Sequence, residues 1–173
     1  MPLPPLERHD QKRSGMKLML RRSLVALAYR FAKVIDGAPE RFPAFEPGFK
    51  VRSPHEVVRH INGVLNYALN IVRSGDPDKR ERLVTLAWEQ EVARAHAILA
   101  ALDDELSTGE PDSEMLQRLL QGPISDAMTH VGQLAMLRRL AGSPISGENF
   151  FRADLALGRL GPDQPPPRDP DQK

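Results

Sequence analysis

Ser53-Pro54-His55-Glu56-Val57-Val58-Arg59-His60-Ile61-Asn62-Gly63-Val64-Leu65 decides the fold, because it marks a helix start and shows which face that helix buries. Ser53 and Glu56 have the spacing of a capping box: the serine hydroxyl accepts from the Glu56 amide, and the glutamate reaches back to the Ser53 amide. Pro54 at the first helical position costs no hydrogen bond, since that amide would be an orphan anyway. Val57, Ile61, Val64, Leu65 and Ala68 recur at helical spacing, predicting a helix to about Arg73 that Gly75 ends.

The same periodicity extends outward in both directions. Leu20, Leu24, Leu27, Phe31 and Ile35 predict a first helix over 14–36, stopped by Gly37. A long connection, 37–52, carries Pro39, Pro43 and Pro47 together with Phe42, Phe45 and Phe49, so it is expected to pack onto the helices. Asp76-Pro77 repeats the cap-plus-proline signal and predicts a third helix to about Leu106, with Val84, Trp88, Val92, Ala95, Leu99 and Leu102 as its stripe. A junction that short predicts antiparallel neighbours. Helical pattern resumes over 112–121, is broken or kinked at Gly122-Pro123, and continues to Ala141, where Gly142 and Pro144 close it. One or two further turns are expected within 148–157. Residues 1–13 and 161–173 read as disordered Pro-rich tails around one domain, 14–160. The fold class expected is all-α, a four-helix bundle.

Composition removes several classes of function. A net charge of +1, with 5% aromatics and no basic run interleaved with them, argues against nucleic acid as a partner. No cysteine is present, which excludes disulfides, thiolate metal sites and cysteine nucleophiles. No apolar stretch approaches the ~20 residues of a membrane span. The basic segment 17–35 is interrupted by Arg21, Arg22, Arg30 and Lys33 and reads as a bundle helix, not a leader, so a cytoplasmic location is expected. No G-x-S-x-G, Walker loop, dinucleotide fingerprint or H-E-x-x-H occurs.

What remains is a polar trio. Asp126 and His130, four apart, stack on one helix face beside the apolar edge of Ala127, Val131 and Leu134. His60 falls in the apolar stripe of the second helix. Two imidazoles and one carboxylate from facing helices make a facial triad for a divalent ion, leaving positions open to water or substrate. Each part also has a plainer reading. A histidine on an apolar face is commonly a core residue with its ring N–H satisfied, and an i,i+4 Asp–His pair is commonly an ion pair. Glu91, on the Trp88 and Ala95 side of the third helix, is a candidate base or support for the site, or else a solvated edge residue. Gln133 and Arg138 are candidate ligand contacts from the metal's own helix, although Arg138 and Arg139 also complement the helix dipole.

His130-Val131-Gly132-Gln133-Leu134-Ala135-Met136-Leu137-Arg138-Arg139-Leu140-Ala141-Gly142-Ser143-Pro144 resembles the H-x-G-Q-x-x-x-x-R-x-x-G-x-P stretch of the DinB-like (DinB/YfiT) superfamily. Ser53 to Ile61 is similar to the opening of that family's second helix, and Asn149-Phe150-Phe151-Arg152-Ala153-Asp154 to its short aromatic segment after the last helix. The resemblance spans most of residues 14 to 160. It implies a four-helix bundle with one divalent metal, held in most members by three histidines, in a family that includes thiol-dependent transferases and isomerases. Where many members carry H-x-x-x-H, this chain has Asp126-Ala127-Met128-Thr129-His130. The aspartate keeps the number of ligands, adds a charge and suits zinc, nickel, manganese or iron, or it marks a decayed site.

Two functions follow as expectations. The first is a metal-dependent hydrolase or thiol-dependent transferase acting on a small molecule, its site roofed by the 37–52 loop. The second is a non-enzymatic bundle that captures a ligand or forms a homodimer through its first helix.

Overall fold

In the computed structural model, which describes residues 5–168, the chain is a four-helix bundle with no strand among the described residues. Helix α1 spans Pro5–Ile35, α2 Pro54–Ser74 and α3 Trp88–Thr108. The fourth helix is built of α4, Ser113–Leu119, and α5, Ser125–Leu140, joined by a π turn over Leu120–Ile124 that contains Pro123. Short 3-10 turns lie at Phe42–Ala44 and Phe150–Arg152. The core is the set of predicted stripes: Leu24, Leu27 and Phe31 against Ile61 and Leu65, Leu99 and Leu102, Ala127 and Leu134, all nearly inaccessible.

The α2 start is the capping box in full, and Gly75 ends the helix in the left-handed region at φ 70°. Helix α1, by contrast, begins at Pro5, ahead of the expected Ser14. Ion pairs from Arg13 and Lys17 to Glu110 hold this early turn region against the end of α3. Of the expected C-terminal tail, residues up to 168 are described; Arg168 reaches Asp154, and the Gln164 amide donates to the Gly161 carbonyl. Residues 1–4 and 169–173 of the two expected tails lie outside the described residues.

The largest departure is the connection between α2 and α3. The third helix starts at Trp88, not at Asp76-Pro77, and residues 75–87 are irregular. Asp76 Oδ1 accepts from the Asp78 amide, a local turn that competes with helix. Residues 76–82 carry only charges and a proline, so a helix there would have no face to bury. Val84, expected on the α3 stripe, is 71% exposed.

That connection also reverses the expected pairing. His55 meets the Leu86 carbonyl where both helices begin, and Arg73 pairs with Glu105 where both end, so α2 and α3 are parallel. Segment 75–87 runs back along the whole of α2. That helix is about 30 Å long at 1.5 Å per residue, and about a dozen extended residues reach that far. Helix α1 is antiparallel to α3 (Arg21 to Asp103, Phe31 to His96), and α2 is antiparallel to the fourth helix (His60 against His130, Tyr67 beside Gly122 and Pro123). The topology is therefore up-down-down-up, with α1–α3–α2–α5 as the order around the bundle.

One buried tie fixes the segment after α5. The Glu148 side chain, fully buried, accepts from the Tyr29 hydroxyl at 2.8 Å and pairs with Lys33. Burial, and then Glu148, push the Tyr29 phenol up to about 12. The unfolded phenol ionises near 10, so this contribution is whole below about pH 10 and is lost as pH climbs toward 12. Tyr29→Phe is expected to flatten the fall in urea midpoint across that alkaline window; an unchanged slope would show that Tyr29 is not its source.

Candidate metal centre

The π turn sets the site. A proline inside a helix has no N–H for the carbonyl one turn back, and just past it the Leu120 carbonyl accepts both the Ser125 amide and, at 2.6 Å, the Ser125 hydroxyl. Asp126 then falls in the first turn of α5, and His130 one turn further, both on the face turned toward α2. His60 comes from the second turn of α2, at the edge of its buried stripe.

The three side chains converge. His60 Nε2 lies 3.6 Å from Asp126 Oδ2, and His130 Nε2 lies 3.9 Å from Asp126 Oδ1. One ligand atom from each lies within 4.8 Å of the others. The imidazole centroids are 4.3 Å apart and tilted by 40°. At these distances the Asp–His contacts are electrostatic and too long for hydrogen bonds. A tetrahedral ion with bonds near 2.0–2.1 Å sets its ligands about 3.3 Å apart. The trio is thus slightly open, within the reach of side-chain rotation.

The donor chemistry fits a cation. Both ring nitrogens of His130 are buried and have no hydrogen-bond partner, a cost that coordination at Nε2 would relieve. The pKa of His60 is lowered, first by burial, then by the neighbouring His130 and Arg52, with Asp126 pulling the other way. A lowered pKa keeps the imidazole neutral and its lone pair available. Asp126 is half-exposed, so one side of the site faces solvent.

Two clefts meet here. One, of about 680 Å³, runs from His60 and Asp126 past Tyr67, Arg80 and Thr129. The other, of about 390 Å³, lies between α2 and residues 81–84. His60 and Gly63 line both. The roof is therefore the returning segment 80–84 and not the 37–52 loop. In that loop Phe42 is buried against Trp88, Phe45 is half-buried and Phe49 is wholly exposed. The roof had no local signal, because residues 80–84 read as helix. Tyr67 could have been placed on the His60 face, two turns on.

Of the other candidates, Arg138 and Gln133 fall outside both clefts, and Glu91 lines the second cleft with His60. Arg138 is buried, and its donors are taken: Nε by the Ser143 carbonyl, Nη1 by Val34 and Asp36, Nη2 by Gly37 and the Ser143 hydroxyl. It closes the C-terminus of α1 and has no N–H left for a ligand, which corrects the expectation. Gln133 is exposed on α5, outside both clefts. Glu91 is 1% exposed, not a solvated edge. Its Oε1 accepts from the Leu86 amide, and its Oε2 from Asn62 and Arg94, so it anchors the start of α3 beneath the roof. It is not among the three groups placed to hold an ion.

No protein-family model matches the chain, and no curated protein or solved structure does. No helix among the described residues is long and apolar enough to cross a membrane.

Proposed function

We propose that this protein holds one divalent metal ion through His60, Asp126 and His130 and works as a metal-dependent hydrolase or thiol-dependent transferase of the DinB-like type. The observation that carries the reading is His130: a buried imidazole with two partnerless nitrogens, facing a second imidazole from another helix and a carboxylate one turn back on its own. The resemblance of His130 to Pro144, and of Ser53 to Ile61, to the DinB-like stretches supports the same ligand set. When bound, zinc, nickel, manganese or iron would supply Lewis acidity, lowering the pKa of a water or thiol or polarising a carbonyl. The chain's own contribution is placement. Neutral His60 and buried His130 hold one side of the site, and half-exposed Asp126 offsets one positive charge at the cleft mouth.

Elemental analysis by ICP-MS tests this directly. The wild type is expected to carry close to one metal per chain, and His60→Ala and His130→Ala close to none. Metal retained by His130→Ala would overturn the ligand assignment. With metal at 100 times its Kd, linkage stabilises the fold by about 2.7 kcal/mol, so EDTA should lower the melting temperature of the wild type and leave His130→Ala unmoved.

One feature favours the competing reading, a ligand-capturing or dimerising bundle with a decayed site. A ligating histidine ordinarily donates its second ring N–H to an acceptor, and Nδ1 of His130 has none. Leu18 and Met19, 43% and 65% exposed on α1, are the apolar surface a dimer would use. A wild-type melting temperature indifferent to EDTA and added metal would select this reading.

A further inference from the structure

We propose that the cleft between the first turns of α2 and the returning segment 81–84 is an oxyanion subsite, in which Arg52, Arg59 and Arg82 hold a carboxylate or phosphate borne by the substrate. This deepens the metal reading and rests on it for the claim that the far end of the same molecule reaches the ion.

Charge is the first argument. The cleft is lined by Arg52, Arg59, Arg82 and Arg94 and by Glu56, Glu81 and Glu91, but these acids and bases do not cancel one another evenly. Glu91 is consumed by Leu86, Asn62 and Arg94 beneath the roof. Arg94 in turn donates to the Val84 carbonyl at 2.8 Å and so belongs to the wall. Glu56 spends its Oε2 on the Ser53 amide and hydroxyl, although it also feels the charges of Arg59 and Arg52. Glu81 and the charge of Glu56 are left against three guanidinium groups, an excess of one positive charge, and among the described residues Arg52, Arg59 and Arg82 form no ion pair within 4 Å. Guanidinium forks are suited to two-oxygen groups, which carboxylates and phosphates share.

Position is the second argument. Glu56, Arg59, His60 and Gly63 occupy one face of α2, so the arginines and the metal-facing imidazole open into one space. A Cβ at Gly63 would meet nothing within 4 Å, and that open floor is where this cleft joins the one holding Asp126. Arg59 immediately precedes His60 and lines the same cleft, so an anionic group seated by it would lie beside the imidazole that faces the ion. The wall opposite is held by Arg94 and Glu91, so the cleft has a fixed side.

Because the three arginines are exposed, affinity for a bare anion should be modest, on the order of a millimolar, and should weaken with salt. The test is calorimetric titration of full-length protein with inorganic phosphate, methyl phosphate and succinate, with metal content measured on the same samples. Arg52→Ala/Arg59→Ala/Arg82→Ala is compared with wild type and with Arg118→Ala, which alters a distant pair on α4. Expected are saturable binding by the wild type, about tenfold or weaker binding by the triple variant, and unchanged metal and helicity. Preference for the phosphates assigns a phosphate-bearing substrate, and preference for succinate a carboxylic acid. Equal binding by wild type and triple variant, or no binding by wild type, overturns the subsite. Arginine-dependent binding by a protein that holds no metal leaves the subsite standing and removes the metal reading.

Discussion

Arg138→Ala is expected to lower the unfolding free energy by about 3 kcal/mol, the largest effect of any single polar replacement in the bundle. The last turn of a helix has carbonyls with no intrahelical partner. At the end of α1 the carbonyls of Val34, Asp36 and Gly37 are all answered by one guanidinium reaching across from α5. The same group donates to the Ser143 carbonyl and hydroxyl and lies 5.6 Å from the centre of the Phe42 ring, so it joins α1, the 37–45 turn and the end of α5. Alanine removes a buried charge-assisted network and leaves its carbonyls facing a cavity. Lysine keeps the charge but not the planar fork, and should recover less than half of the loss. Urea midpoints of the two variants decide it: a cost under about 1 kcal/mol for Arg138→Ala would show that water replaces the guanidinium with ease.

Glu91→Ala should cost nearly as much, also about 3 kcal/mol, for a different reason. Removing the carboxylate strands the Leu86 amide, one donor of fully buried Asn62 and the partly buried Arg94. The loss should be localised. Segment 76–87 is tied at its far end by Glu91 and Arg94, so limited proteolysis within it should accelerate while the bundle stays folded. Glu91→Gln keeps one acceptor for the Leu86 amide and should lie between. Metal content distinguishes an anchor from a ligand. Glu91→Ala is expected to retain the ion that His130→Ala loses; loss of metal in both would place Glu91 in the site itself.

Much of this architecture is local and therefore legible. Ser53, Pro54 and Glu56 cap α2 because the capping box involves atoms three residues apart, and Gly75 ends it because only glycine takes a φ of 70° without strain. Gly122-Pro123 perturbs the fourth helix because proline clashes with its own preceding turn, which appears as the π turn over Leu120–Ile124. The Asp126–His130 pair follows from helical spacing alone, and the apolar stripes identify the buried faces.

Other decisions belong to tertiary structure. Asp76-Pro77 has the local chemistry of a helix start, yet the chain stays irregular to Ala87. Residues 76–82 have no apolar face, and they return along α2 so that α3 lies parallel to it. The true start at Trp88 has a weaker signal: Gln90 reaches back to the Ala87 amide, but Ala87 has no side chain to complete the exchange. Arg138 and Glu91 read from sequence as a ligand contact and a base or support, or else as surface charges, and not as structural anchors, because their partners, Val34 to Gly37 and Asn62, are distant in the chain. The trio itself is divided the same way. Sequence alone determined that Asp126 and His130 share a face and that His60 borders a core, since periodicity fixes direction along a helix. That the two faces meet, and that the returning chain and not the aromatic loop covers them, was decided only by packing, where burial of distant stripes sets which helices touch.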